Sequence, residues 1–217
     1  MRTSLEAPSG KPQTPAVIHP AVHGSLPAQP LPPRDKLKED KPTPRRRPIV
    51  DCGNLPFLIR RDGTWLYRGS PIGRKELVCL FASVLRREAD GSYSLETPAE
   101  RGRIEVEDAP FVAVELDWTG NGRDQVLSFR TNVDQVLTAG PDHPIRVSHD
   151  LLTCEPTPYI RVRPGKGDLA VEARIGRAVY YELVALAVPE WVRCRRMLGV
   201  WSRGQFFSLG EMPPGAE

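Results

Sequence analysis

Phe57-Leu58-Ile59-Arg60-Arg61-Asp62-Gly63-Thr64-Trp65-Leu66-Tyr67 reads as a β-hairpin. Asp-Gly between two aromatic and aliphatic runs is the residue pair of a two-residue hairpin turn. Gly69-Ser70-Pro71-Ile72-Gly73 then interrupts the strand, and a helix is expected over Arg74–Glu88. Leu77, Leu80, Phe81, Val84 and Leu85 recur there at helical spacing and form one apolar stripe, read as the core face. Arg86, Arg87 and Glu88 make a polar last turn, and Asp90-Gly91 stops the helix.

Working outward, short strands are expected at Tyr93–Glu96, Arg103–Glu107, Phe111–Leu116, Gln125–Arg130, Ile145–Ser148 and Tyr159–Arg163. Leu169–Ile175 reads as a short helix. Val179–Ala187, rich in Val and Tyr, reads as a buried strand. Leu198–Ser202 and Gln205–Leu209 read as a closing hairpin turned at Arg203-Gly204. The fold class is α+β and strand-rich, with one main helix in the first of two units. The chain divides near Asp108-Ala109-Pro110 into an N-terminal α+β domain, 49–108, and a C-terminal mainly β domain, 109–211. Gly63-Thr64-Trp65 and Gly199-Val200-Trp201 echo each other, a faint sign of repetition.

Residues 1–48 hold 11 of the 23 prolines and no aromatic residue. Such a segment buries too little apolar surface to offset its ordering entropy and is expected to be a disordered tail. Arg45, Arg46 and Arg47 form a basic run in it, either a contact for an acidic partner or a solvated linker. The tail carries nine Lys+Arg against four Asp+Glu, so the overall charge of +3 leaves −2 for the rest. A folded part without a basic surplus is not expected to bind duplex DNA. No apolar run approaches membrane-span length and no secretory signal is visible, so a cytoplasmic protein without membrane insertion is expected.

The chemistry is sparse. Cys52, Cys79, Cys154 and Cys194 form no CxxC pair, and only His143 and His149 lie beyond the tail, so neither a metal nor another cofactor is expected. No Walker motif, GxGxxG or GxSxG is present. His143 or His149 with Cys154 or Ser148 makes no recognisable triad. The carboxylate pairs Glu105/Glu107 and Glu115/Asp117 fit a solvent face as well as acid–base work. One segment has ligand potential: Arg68-Gly69-Ser70-Pro71-Ile72-Gly73-Arg74-Lys75. A helix start offers free N–H groups and partial positive charge, Ser70 a hydroxyl, and Arg68, Arg74 and Lys75 cations. The alternative is a turn with solvated charges.

The same residues carry a likeness. Cys52-Gly53, Asp62 to Tyr67 and Gly69 to Arg74, then Leu80 to Leu85, Thr97-Pro98 and Val106 to Phe111, resemble the bacterial domain-of-unknown-function family 1285. Phe129-Arg130-Thr131-Asn132-Val133, Ala139-Gly140-Pro141, His143-Pro144, Tyr180 to Val184, Gly199 to Ser202 and Phe206-Phe207 continue the likeness in order. The resemblance implies a duplicated core of two related α+β domains, the second like a pleckstrin-homology fold. It also implies a pocket between the domains for a nucleotide-like ligand and a role in signalling. The chain departs from the pattern at Asp134-Gln135, where Gly-Asp is expected, and over Gly165–Arg174. The leading expectation is a non-catalytic regulatory protein holding a small anionic ligand between its domains. Trp65 or Trp201 would face a ring, Arg68, Ser70, Arg74 and Lys75 would hold the anion, and Thr131 and Asn132 would add hydrogen bonds. The competing expectations are an enzyme with an unfamiliar Asp/Glu/Arg site and a protein-interaction module acting through the tail. A truncated chain starting at Ile49 should unfold at nearly the temperature of the full chain, as thermal melts of the two would show; a large drop would mean that the tail packs on the core.

Overall fold

The computed structural model describes residues 49–150, 153–167 and 169–212, so the expectations for the tail lie outside the described residues. The chain opens with β1 (Val50–Ile59), β2 (Trp65–Tyr67) and the two-residue β3 (Ser70–Pro71). The turn between β1 and β2 is longer than the two residues expected. Arg60 N donates to Thr64 O and Gly63 N to Arg60 O, both at 2.9 Å, so three residues form the loop. Gly63 takes the left-handed position, φ +84°, that such a loop requires. Helix α1 (Lys75–Val84) leads to β4 (Leu85–Arg87), β5 (Tyr93–Glu96) and β6 (Glu100–Val106). β1 pairs parallel with β6, and the sheet order is β3-β2-β1-β6-β5-β4.

The second part repeats this plan. β7 (Phe111–Thr119), β8 (Val126–Thr131) and β9 (Val136–Thr138) form one meander. β10 (Ile145–His149), β11 (Pro156–Pro164) and β12 (Ala170–Ile175) form another. β7 pairs parallel with β12, and the order β9-β8-β7-β12-β11-β10 is that of the first sheet, strand for strand. The helix is placed differently: α2 (Arg177–Ala185) follows the last strand. A three-stranded sheet, β13 (Val188–Val192), β14 (Arg195–Ser202) and β15 (Gln205–Glu211), ends the chain. The Gly63-Thr64-Trp65 echo is not this repeat. Trp65 opens the second strand of the first sheet, whereas Trp201 stands one residue before the end of the middle strand of the third.

Three expectations for elements are corrected. Residues 169–175 contain the strand β12, not a helix: Val171, Ala173 and Ile175 alternate into the core. Residues 179–187 contain most of α2, not a strand: Val179 and Leu183, four apart, are its buried residues. The β preference of Val and Tyr gave way to burial of one helical stripe. Helix α1 also stops at Val84, and Leu85 is already strand. Its stripe is only partly core: Phe81 and Val78 pack inward and Ala82 is buried, but Leu77 is exposed and Leu80 is 60% exposed.

The two six-stranded sheets share one apolar cluster, from Ile59, Trp65 and Leu85 to Phe111, Phe129, Ile160 and Leu183. Polar ties cross between them. Val112 N donates to Asn132 Oδ1 and Asn132 Nδ2 donates to Gly63 O, each at 3.0 Å. The Arg163 guanidinium donates to the carbonyls of Ala82 (2.7 Å) and Leu85 (3.0 Å), where the end of α1 lacks backbone donors and is partially negative. Arg87 donates to Ala170 O at 2.6 Å. Removing the Asn132 amide strands two backbone groups at this seam. Asn132→Ala should therefore cost about 2 kcal/mol, read as a lower urea midpoint, and an unchanged midpoint would deny the clamp.

Candidate functional site

The last residues of β1 and β6 end beside the turn between β4 and β5. A groove of about 500 Å³ opens there, walled by Leu58, Arg87, Tyr93, Glu105, Glu107 and Asp108. A second cleft, about 290 Å³, lies where β11 and β12 meet α2, between Pro156, Pro158, Arg174, Arg177, Tyr180 and Tyr181, with Glu155 at its side. The two adjoin: Asp108 of the first stands 3.8 Å from the Arg174 guanidinium of the second. Each cleft belongs to one sheet and this ion pair links their walls; the pair of clefts is called the trench.

Charge on and behind the walls of the trench is arranged in a chain. Asp108 accepts a 2.7 Å hydrogen bond from the Tyr159 hydroxyl and lies 3.9 Å from Arg61. Burial, then the bond to the Asp108 carboxylate, push the Tyr159 phenol up to about 12. The Arg146 guanidinium sits 4.4 Å from the centre of the Tyr159 ring and grips Glu172 through two 2.6 Å bonds. Arg87 stands 3.8 Å from Glu172 and 5.4 Å from the Tyr93 ring centre, and its Nε is buried without a partner. Glu107 accepts a bond from the backbone N–H of Arg61 at 2.8 Å. Behind the seam, burial of Glu88 opposes its ionisation. Hydrogen bonds from Ser94 and Lys166 outweigh this and hold the carboxyl below its ordinary range.

The residues singled out in the sequence are spread over the molecule. Trp65 is 2% exposed and packs against Phe81, so its ring belongs to the core. Thr131 is buried, and its hydroxyl accepts from Gln135 N. Asn132 spends its amide on the seam. Trp201 lies on β14 against Phe206, with Arg123 4.7 Å from its ring centre. Arg68, Ser70 and Arg74 are exposed around the start of α1, Arg68 beside the Tyr67 ring. Lys75 donates to Asp134 at 2.7 Å, and Asp134 also pairs with Arg130. Asp134, one of the departures from the family pattern, has φ +61°, a conformation glycine takes freely and aspartate tolerates. Its carboxylate places an anion of the chain's own beside α1. The structure thus brings Lys75, Thr131 and Asn132 near one turn and leaves Trp201 on another sheet.

Glu105 and Glu107 line the groove, whereas Glu115 pairs with Arg130 on the other sheet. His143 Nδ1 bonds to the backbone carbonyl of Arg161. The four cysteines are free, and the Cys79 thiol donates to Val133 O. Among the described residues no cluster of three or more His, Cys, Asp or Glu is placed to hold a metal. No helix among them is long and apolar enough to cross a membrane. Sequence reasoning missed Arg87, Asp108, Tyr159 and Arg174. Asp108 had a signal, a carboxylate in the Glu-Asp-Ala-Pro joint between units. Arg174 had none while its segment was read as helix.

Two sheets of the same strand order, each with one helix, define a two-domain, strand-rich α+β protein. The chain belongs to the DUF1285 family: residues 44–109 match the "Domain of unknown function (DUF1285), N-terminal domain" and 110–209 the "Protein of unknown function (DUF1285), C-terminal domain". A crystal structure of a DUF1285 family protein from Silicibacter pomeroyi DSS-3 is 42% identical, with a TM-score of 0.67 over 76% of this chain and 85% of that one. One from Shewanella baltica OS155 is 26% identical, with a TM-score of 0.46 over 60% of this chain and 91% of that one. No curated protein matches.

The Tyr159–Asp108 bond gives a pH prediction. A phenol whose pKa is raised in the folded state adds stability below about pH 10, its unfolded value, and loses it as pH rises through about 12. Tyr159→Phe should therefore be less stable than wild type near neutrality, and the gap should close between about pH 10 and 12. Denaturant titrations across that range would show it; a gap that stays constant would contradict the assignment.

Proposed function

We propose that this is a bacterial, cytoplasmic, non-catalytic ligand-binding protein with a role in signalling, and that its trench holds a small anionic, nucleotide-like ligand. The carrying observation is the Arg174 guanidinium on the wall of the second cleft, facing Asp108 on the wall of the first. It is held by Asp108 only at 3.8 Å, too long for a direct hydrogen bond. A phosphate or carboxylate offers the fork a bidentate partner. Arg177, which now pairs with exposed Glu155 at 2.9 Å, adds a second cation. Tyr180 and Tyr181 supply ring faces beside them, and Leu58 and Tyr93 supply apolar wall at the far end. Within this reading the ligand stays between the domains, as the family resemblance implies, but away from the start of α1.

The α1 start remains the competing location, because Arg68, Ser70 and Arg74 are exposed together there. Isothermal titration with a panel of nucleoside mono- and diphosphates separates the two. Arg174→Ala and Arg177→Ala should each weaken binding about ten- to a hundredfold, the usual loss for a charged hydrogen bond, while Arg74→Ala leaves it unchanged. Losses confined to Arg68→Ala and Arg74→Ala would move the ligand to the helix start. No binding by wild type would contradict the proposal, and turnover of a bound compound would favour an enzyme.

A further inference from the structure

The second cleft carries two guanidiniums whose own carboxylates hold them differently. Arg174 stands 3.8 Å from Asp108, which is only 15% exposed and already accepts the Tyr159 hydroxyl at 2.7 Å. That carboxylate is fixed in place. Arg177 donates to Glu155 at 2.9 Å, a direct charged hydrogen bond, and the two side chains are 73% and 61% exposed. Among the described residues the Glu155 carboxylate has no other partner. Both backbones are pinned beside the pair. Pro156, the residue after Glu155, pairs with His149 on β10, and Gly176, the residue before Arg177, donates to Ala113 O at 3.0 Å. The pair can therefore open by side-chain rotation alone, and an exposed pair of long side chains is held weakly enough to do so.

Arg177 cannot serve Glu155 and a ligand phosphate in full. A bidentate phosphate takes two N–H groups of the guanidinium fork, and the Glu155 contact already occupies that fork. A carboxylate left in place would also repel a phosphate at contact distance. Arg174 meets no such rival, because it makes no hydrogen bond to Asp108. We infer that Glu155 is a built-in competitor of the ligand's anion for Arg177, and that the anion must displace it before both guanidiniums engage. Within the trench reading of the function, on which this rests, Glu155 sets the affinity below what the two arginines alone would give, and neutralising it strengthens binding.

The test is isothermal titration of the full chain with adenosine diphosphate and with guanosine diphosphate at low salt. Glu155→Gln should tighten binding about two- to fivefold, the worth of one exposed ion pair no longer broken when the ligand enters. The gain should shrink as salt is added. In the Arg177→Ala background the same substitution should change affinity little, because the contested side chain is gone. Unshifted melting temperatures show that the variants fold. Binding that Arg177→Ala weakens but Glu155→Gln leaves unchanged or weakens would overturn the competition and leave the site reading standing. A gain of equal size with and without Arg177 would also overturn it, since Glu155 would then act on the ligand directly. Binding of neither diphosphate, or binding indifferent to Arg177, overturns both.

Discussion

Each six-stranded sheet is closed by one parallel pairing, β1 with β6 and β7 with β12. A parallel partner cannot be reached by a tight turn, so the chain between must be laid out elsewhere. Here it is laid out as two antiparallel meanders on either side of the parallel pair. That constraint sets where function can arise. The first pairing ends β6 so that Glu107 and Asp108 emerge at the joint between domains. The second sets Ala173 against Phe111 and Ile175 against Ala113, and thereby holds Arg174 opposite Asp108. The trench follows from the ends of these two strand pairs.

The seam is also held by polar contacts separate from the apolar core. Asn132 joins the first hairpin turn to the start of the second sheet, and Arg163 of the second domain caps the helix of the first. The loop after β11, one of the departures from the family pattern, lies against β4. Lys166 N donates to Arg87 O, and Lys166 Nζ reaches Glu88 at 2.9 Å. A side chain at Gly165 would press on the Leu169 carbonyl and on Arg87. The altered loop thus ties the two domains together. A buried carboxylate such as Glu88 is tolerated because Ser94, Lys166 and Arg101 surround it.

Much of the architecture was legible from local signals. The Asp62-Gly63 turn, the strand at Tyr93–Glu96 and the closing hairpin at Arg203-Gly204 all depend on turn chemistry and alternation within a few residues. The errors came where tertiary packing decides. Residues 170–175 form a central strand whose Ala and Glu content carries a helix signal, and 177–185 form a helix built from strand-preferring Val and Tyr. Leu77 and Leu80 kept helical spacing while facing solvent. The repeat of strand order was hidden because the two sheets share a pairing scheme and not a motif. The trench was illegible for a related reason: Arg87, Asp108, Tyr159 and Arg174 lie on four separate segments that only the pairing of sheets brings together. Asn132 was read as a ligand donor because sequence shows an amide and not the backbone groups that occupy it.

The central claim is that two sheets of identical strand order are joined into one cooperative body, with the walls of the trench linked across their seam. Native-state hydrogen exchange measures this most directly. Amides in β5 and β6 and amides in β8 and β12 should exchange through openings of the same free energy, with the same denaturant dependence. Protection that persists in one sheet while the other opens at distinctly lower free energy would contradict the claim.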